Sequence, residues 1–153
     1  MRNVSEITPG LDNAGQPLEY VATAGQPEEE NLKQLAEAGY KTVVDLRTPE
    51  EPPRPDEWGM VVRRAGMEYV NIPVGHEDIH DKTFDRFREL MRDGGCRPML
   101  VHCSSANRVG ALLIPYLVLD EGKSTEEARE IAAQVGLRST SLERAAFRYV
   151  SVK

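Results

Sequence analysis

The sequence predicts a single α/β domain, with a central, mainly parallel sheet of about four or five strands flanked by helices. Two observations carry this. Strand signals alternate with amphipathic helical signals along the chain, and the strands are short unbroken apolar runs of the kind covered on both faces. No linker, repeat or low-complexity tract divides the 153 residues, so 1–153 reads as one domain. Residues 1–18 show neither periodicity and are expected to be an irregular N-terminal segment.

"EYVATAG" (Glu19–Gly25) is a strand stopped by glycine. "QPEEENLKQLAEAGY" follows as a helix, with Pro27 suited to its first turn, acids after it, an apolar stripe of Leu32, Leu35 and Ala36, and a stop at Gly39. "TVVDL" (Thr42–Leu46) is β-branched and reads as buried strand, and the Pro-rich "RTPEEPPRPDE" must be loop. "EWGMVVRRAG" reads as a helix ended by Gly66, and "EYVNIPV" as a strand ended at Pro73. In "DKTFDRFRELMRDGG" Phe84, Phe87, Leu90 and Met91 share one helical stripe before Gly94-Gly95. "RPMLVH" is the next strand, followed by a polar turn and a helix from about Val109, in which Pro115 removes a hydrogen bond and predicts a kink near Ala111. Two further helices open with Ser124…Glu127 and Thr140…Glu143.

A formal charge of −6 argues against nonspecific nucleic-acid binding. No apolar stretch reaches membrane-span length and the N-terminus has no signal-like apolar core, which points to the cytoplasm. Cys96 and Cys103 are expected to be free thiols in that compartment, and His76, His80 and His102 form no metal-ligand spacing with them.

"VHCSSANRVGALL" (Val101–Leu113) is a strand, a polar turn and a helix start. Successive amides in such a turn, with the helix N-terminus, form an anion-binding concavity. A cysteine at its mouth favours the thiolate and so becomes nucleophilic near neutral pH. An arginine five positions on can close over a tetrahedral anion with its guanidinium fork.

"VHCSSANRVGALLIPYLVLDEGKSTEEAREIA" resembles the catalytic segment of cysteine-dependent protein phosphatases of the dual-specificity kind. "ATAGQPEEENLKQLAEAGYKTVVDLRTPEE" is similar to the opening of an atypical bacterial group, the phosphatase-like part of beta-lactamase hydrolase-like proteins. Together the two segments run from about Tyr20 to Val135. The resemblance implies a cysteine-phosphatase-like fold and hydrolysis of phosphate monoesters through a phosphocysteine. Cys103 would be the nucleophile and Arg108 the phosphate clamp, with Ser104, Ser105, Ala106 and Asn107 supplying loop amides and His102 bracing the loop. The substrate would be a phosphorylated protein or a small phosphoester; phosphate, sulfate or vanadate would occupy the loop, and no metal or organic cofactor would be required.

The loop departs from that family in three places. Four residues separate Cys103 from Arg108 where the family has five. Ala106 stands in place of a mid-loop glycine, and Val109 in place of a hydroxyl residue. Two other readings therefore stay open. A four-residue loop is also that of rhodanese-like sulfurtransferases, whose D-x-R-x-x-x-E stretch resembles "VVDLRTPEE"; Cys103 would then carry a persulfide. A catalytically weak phosphate- or phosphopeptide-binding module is the other. Against the sulfurtransferase stand the histidine before Cys103 and the absence of a rhodanese-type "GHIxGA" stretch.

A general acid is sought in "IPVGHEDIHDKTFD". Asp78 lies about five residues past Pro73, the placement the phosphatase resemblance implies, with Asp81 as competitor and also a natural helix cap, and with His76, Glu77 and His80 as additional candidates. Arg47 is a supporting candidate for a positive rim, against a salt bridge with Asp45 at the strand end. Arg138, before a helix start, is a candidate for lining the cleft, with a solvated cap favoured, and Trp58 for walling it, with ordinary packing favoured.

Overall fold

The computed structural model describes residues 2–153. Five strands form one sheet: β1 (Gly15–Leu18), β2 (Val21–Ala24), β3 (Thr42–Asp45), β4 (Glu68–Asn71) and β5 (Met99–His102). Their order is β1-β2-β5-β3-β4, parallel throughout except for the β1–β2 edge pair. Among the described residues seven α-helices accompany them: α1 (Val4–Ile7), α2 (Glu29–Glu37), α3 (Pro55–Arg64), α4 (Asp81–Arg92), α5 (Asn107–Pro115), α6 (Thr125–Val135) and α7 (Thr140–Ser151).

Strand alternation divides the core into two layers. Val21, Val44, Met99 and Val101 face one layer, filled from α4 to α7 by residues such as Phe84, Phe87, Leu112 and Tyr149. Ala22, Ala24, Val43 and Leu100 face the other, filled by Leu32 and Leu35 of α2 and Trp58 and Val62 of α3. Helix α5 is buried from Arg108 to Pro115, which explains its lack of a polar face. It lies so close to α6 that a Cβ at Gly110 would stand 2.8 Å from the Ala132 carbonyl oxygen and 2.8 Å from Leu137 Cβ.

Two expectations need correction. The stretch before residue 19 is not irregular: Asn3 caps α1, and Gly15–Leu18 pairs with β2 as the sheet's edge. "GQPL" has no strand periodicity because every one of its residues is half-buried, as an edge allows. The disturbance expected near Ala111 lies further on, where α5 reaches Pro115 and passes into a π-helical turn, Tyr116–Asp120. Helix α5 also starts at Asn107, two residues before Val109, which puts Arg108 in its first turn. Among the described residues no helix is long and apolar enough to cross a membrane.

Candidate active site

Strands β2, β3 and β5 run parallel, so their C-terminal ends share one edge of the sheet, where open α/β sheets bind ligands. The segment from Cys103 to Asn107 leaves β5 at this edge and enters α5. Its outer side is fastened to the β2 end: Gln26 N–H donates to the Ser104 carbonyl at 3.2 Å, and Gly25 bridges to Ser105. A Cβ on Gly25 would come within 2.8 Å of that carbonyl oxygen, so this approach requires glycine. Among the described residues, the amides of Ser104 and Ser105 have no protein acceptor, while the Gly25–Ser105 bridge turns the Ala106 amide towards the Ala24 carbonyl. Ala106 itself holds φ +69°, the left-handed conformation that turns successive amides towards one point. Glycine adopts it freely; alanine does so at a cost of about 1 kcal/mol.

Cys103 is completely buried and Arg108 is 1% exposed. Both terminal nitrogens of the Arg108 guanidinium are held by protein. Nη1 donates to Glu51 Oε2 at 2.8 Å and to the Val74 carbonyl at 3.0 Å; Nη2 donates to Glu51 Oε1 at 2.6 Å and to Ser104 Oγ at 3.0 Å. Glu51 therefore grips the end-on edge of the fork. The side-on edge, Nε with Nη2, is left towards Ser104 and the Cys103 thiol. Glu51 is set in turn by Thr48, whose N–H and hydroxyl donate to Oε2 at 2.7 and 2.8 Å. Burial works against the charged form of Glu51, but Arg108 and Thr48 outweigh it and bring its pKa down to about 2. An acid that strong is a permanent counter-ion to Arg108 and no proton donor.

His102 is buried beside this loop. Trp58 Nε1, which only donates, is 3.1 Å from His102 Nε2, so the imidazole proton is on Nδ1, 3.2 Å from the Cys103 carbonyl. The ring thus braces the backbone carbonyl of Cys103. Burial lowers its pKa to about 4 from an ordinary 6.5. Between these values the unfolded chain binds a proton that the folded chain does not. The contribution is complete above pH 6.5 and is lost as pH falls through about 4; it is worth roughly 3 kcal/mol. Urea midpoints should therefore fall over that window, and His102→Asn should flatten the dependence; an unchanged slope would assign the acid sensitivity elsewhere.

The remaining expected site residues fall in different places. Arg47 follows the salt-bridge reading and not the positive rim: it is buried, paired to Asp45 through Nε and Nη2 at 3.0 and 2.9 Å, and donates to the Pro53 carbonyl at 2.6 Å. It shapes the loop that carries Glu51. Asp78 is exposed; it accepts from the Ile79 N–H and from Arg148 of α7 at 3.2 Å, and these two contacts hold its carboxyl below the usual range. Asp81 is the first residue of α4 and exposed. Cys96 and Cys103 are free thiols. Asn107 turns out to be a fastener: its Oδ1 accepts from the backbone N–H of Arg138 and Ser139 at 2.7 and 3.2 Å.

Local reading did not single out Glu51, and it favoured packing for Trp58, which meets His102, and a solvated cap for Arg138, which meets Ser105. Glu51 does stand at the end of the D-x-R-x-x-x-E stretch, a signal that pointed at it without giving its partner.

The family model described as "DSP-PTPase phosphatase fused to NAD+ Kinase" matches residues 3–149. A beta-lactamase hydrolase-like protein of Xylella fastidiosa (strain Temecula1) is 31% identical over 117 residues, 74% of this chain and 27% of that protein. One from Agrobacterium fabrum is 29% identical over 105 residues, 67% of this chain and 24% of its length. The chain thus spans about a quarter of the length of these curated relatives. Among solved structures, a DUF442 protein of Shewanella putrefaciens superposes with a TM-score of 0.81 at 23% identity, covering 97% of both chains. The core catalytic domain of the PP-IP phosphatase SIW14 of S. cerevisiae, in complex with citrate, gives 0.73 at 19% identity, covering 91% of this chain and 86% of that one. The strand order, the cysteine-to-arginine loop at the sheet edge and the match over residues 3–149 lead to one conclusion: the chain belongs to the dual-specificity and tyrosine-phosphatase-like family described as "DSP-PTPase phosphatase fused to NAD+ Kinase".

Proposed function

We propose that this chain hydrolyses phosphate monoesters through a phosphocysteine on Cys103. The observation that carries the reading is the turn from Cys103 into α5, in which the Ser104 and Ser105 amides have no protein acceptor among the described residues and the buried Arg108 reaches the Ser104 hydroxyl. Such an arrangement suits the three equatorial oxygens of a phosphoryl group in transfer. The Cys103 thiolate attacks phosphorus and the P–O ester bond breaks. Arg108 Nε and Nη2 take two oxygens, the Ser104 hydroxyl giving way on Nη2, while Glu51 keeps its hold on the other edge. Water then attacks phosphorus, the P–S bond breaks, and phosphate leaves with the thiolate restored. Ala106 and Val109, in place of glycine and a hydroxyl residue, favour slow turnover of the intermediate. Persulfide chemistry at Cys103 is the rival, since it uses the same loop.

The two are separated by incubating the protein with 4-nitrophenyl phosphate and, separately, with thiosulfate and cyanide. Vanadate-sensitive phosphate release supports hydrolysis; thiocyanate without phosphate release overturns it. A protein that forms neither, yet is stabilised against heat by phosphate, is a binding module.

The leaving alkoxide needs a proton, and Asp78 is the candidate for it. In this conformation Asp78 is ionised and turned to Arg148, so acid catalysis requires it to exchange Arg148 for the substrate's bridging oxygen. Asp78→Asn is then expected to lower kcat for an alkyl phosphate by about 10²-fold or more, with little effect on 4-nitrophenyl phosphate, whose leaving group needs no proton. Equal effects on both would move the role elsewhere, with Asp81→Asn as the next variant.

A further inference from the structure

The charges around the loop are unevenly matched. Glu51 answers Arg108 and Asp45 answers Arg47, while His102 is held neutral by burial. Arg138 is different. Among the described residues it has no carboxylate partner; its Nη2 donates only to the Ser105 hydroxyl, at 3.3 Å. It is exposed, yet its backbone is fixed to the loop by the Asn107 carboxamide. The fit beneath is close: a Cβ on Gly136 would lie 3.1 Å from Ala106 Cβ and 3.3 Å from the Ser105 carbonyl oxygen. A cation carried on a fixed backbone touches the anion-binding loop from outside and lacks a counter-ion, in a chain whose net charge is −6.

Its place is distinct from that of Arg108. Arg108 reaches the Ser104 hydroxyl from within the loop, whereas Arg138, exposed, reaches the hydroxyl of the next residue, Ser105. A group bound at Arg138 therefore lies beside the reacting phosphoryl group. We propose that Arg138 is a specificity-determining residue that receives a second anionic group, phosphate or carboxylate, on the same substrate molecule. This rests on the phosphatase reading for its context and can be read without turnover.

The test compares phenyl phosphate with phenyl phosphates bearing a ring carboxylate or a second phosphate. Affinities are measured on Cys103→Ser protein, with and without Arg138→Gln. The doubly anionic compounds are expected to bind more tightly than phenyl phosphate. That preference should fall by about tenfold in Arg138→Gln, the scale of one charge-assisted contact, and be retained in part by Arg138→Lys. Raising ionic strength should weaken it. A larger loss with the second phosphate than with the carboxylate identifies the preferred group. An equal loss for all three compounds would show that Arg138 serves the loop or the reacting phosphoryl group, and an unchanged preference would show that it does neither; both overturn the proposal. Failure of the phosphatase reading is seen separately, as absence of phosphate release by the wild-type chain.

Discussion

Cys103→Ser should abolish phosphate release from 4-nitrophenyl phosphate, lowering kcat by about 10⁴-fold or more. The reason is chemical. A serine hydroxyl at this position has a pKa far above that of a thiol, and the field of Arg108 and the α5 N-terminus cannot make it an alkoxide near neutral pH. The fold should survive, because the site is fully buried and the substitution is close to isosteric, so the thermal midpoint should move by only a few degrees. Vanadate or phosphate should still raise that midpoint, since the amides and Arg108 are untouched. A variant that folds, binds phosphate and keeps most of its activity would show that Cys103 does not attack phosphorus.

Arg108→Lys should be nearly as damaging, lowering kcat/KM by about 10²- to 10³-fold. The guanidinium makes four bonds through its two terminal nitrogens while its Nε edge stays turned to Cys103. One ammonium has three donors radiating from a single atom and cannot span Glu51 and two phosphoryl oxygens together. It also leaves acceptors partly unpaired around a buried charge, at roughly 3 kcal/mol of stability. Glu51→Gln is the informative contrast. It keeps the shape and one acceptor but removes the counter-ion, so activity should fall by about tenfold through misplacement of the fork. If Glu51→Gln matched Arg108→Lys in its effect on kcat, Glu51 would be acting in the chemistry rather than in placing Arg108.

Cys103 and Arg108 were legible in the sequence because everything needed to notice them is local: an apolar strand, a polar turn and an apolar helix within thirteen residues. The parallel core strands were legible for the same reason, since β3 and β5 are continuous buried runs. What completes the site arrives from far along the chain. Glu51 reaches Arg108 across 57 positions, Trp58 reaches His102 across 44, and Arg138 reaches Ser105 across 33. Those meetings depend on the strand order, which places the β3 end beside the β5 end, and on the α5–α6 approach that Gly110 permits. Arg47 shows the converse. A conspicuous arginine at a strand end proved to be tied to Asp45, and its charge is consumed in holding the loop that presents Glu51. The edge strand β1 was illegible because a half-buried "GQPL" owes its conformation to pairing with β2 and to no pattern of its own.

The central claim is a covalent bond between Cys103 and phosphorus. Mixing the protein with excess aryl phosphate, quenching in acid within milliseconds to seconds, and weighing the peptide that contains Cys103 tests it most directly. The account predicts the mass increment of one phosphoryl group on that peptide, absent in Cys103→Ser and more persistent than in phosphatases that carry a hydroxyl residue after the arginine. Phosphate release with no phosphorylated Cys103 peptide at any quench time, or an increment of one sulfur after thiosulfate in a protein that releases no phosphate, would contradict it.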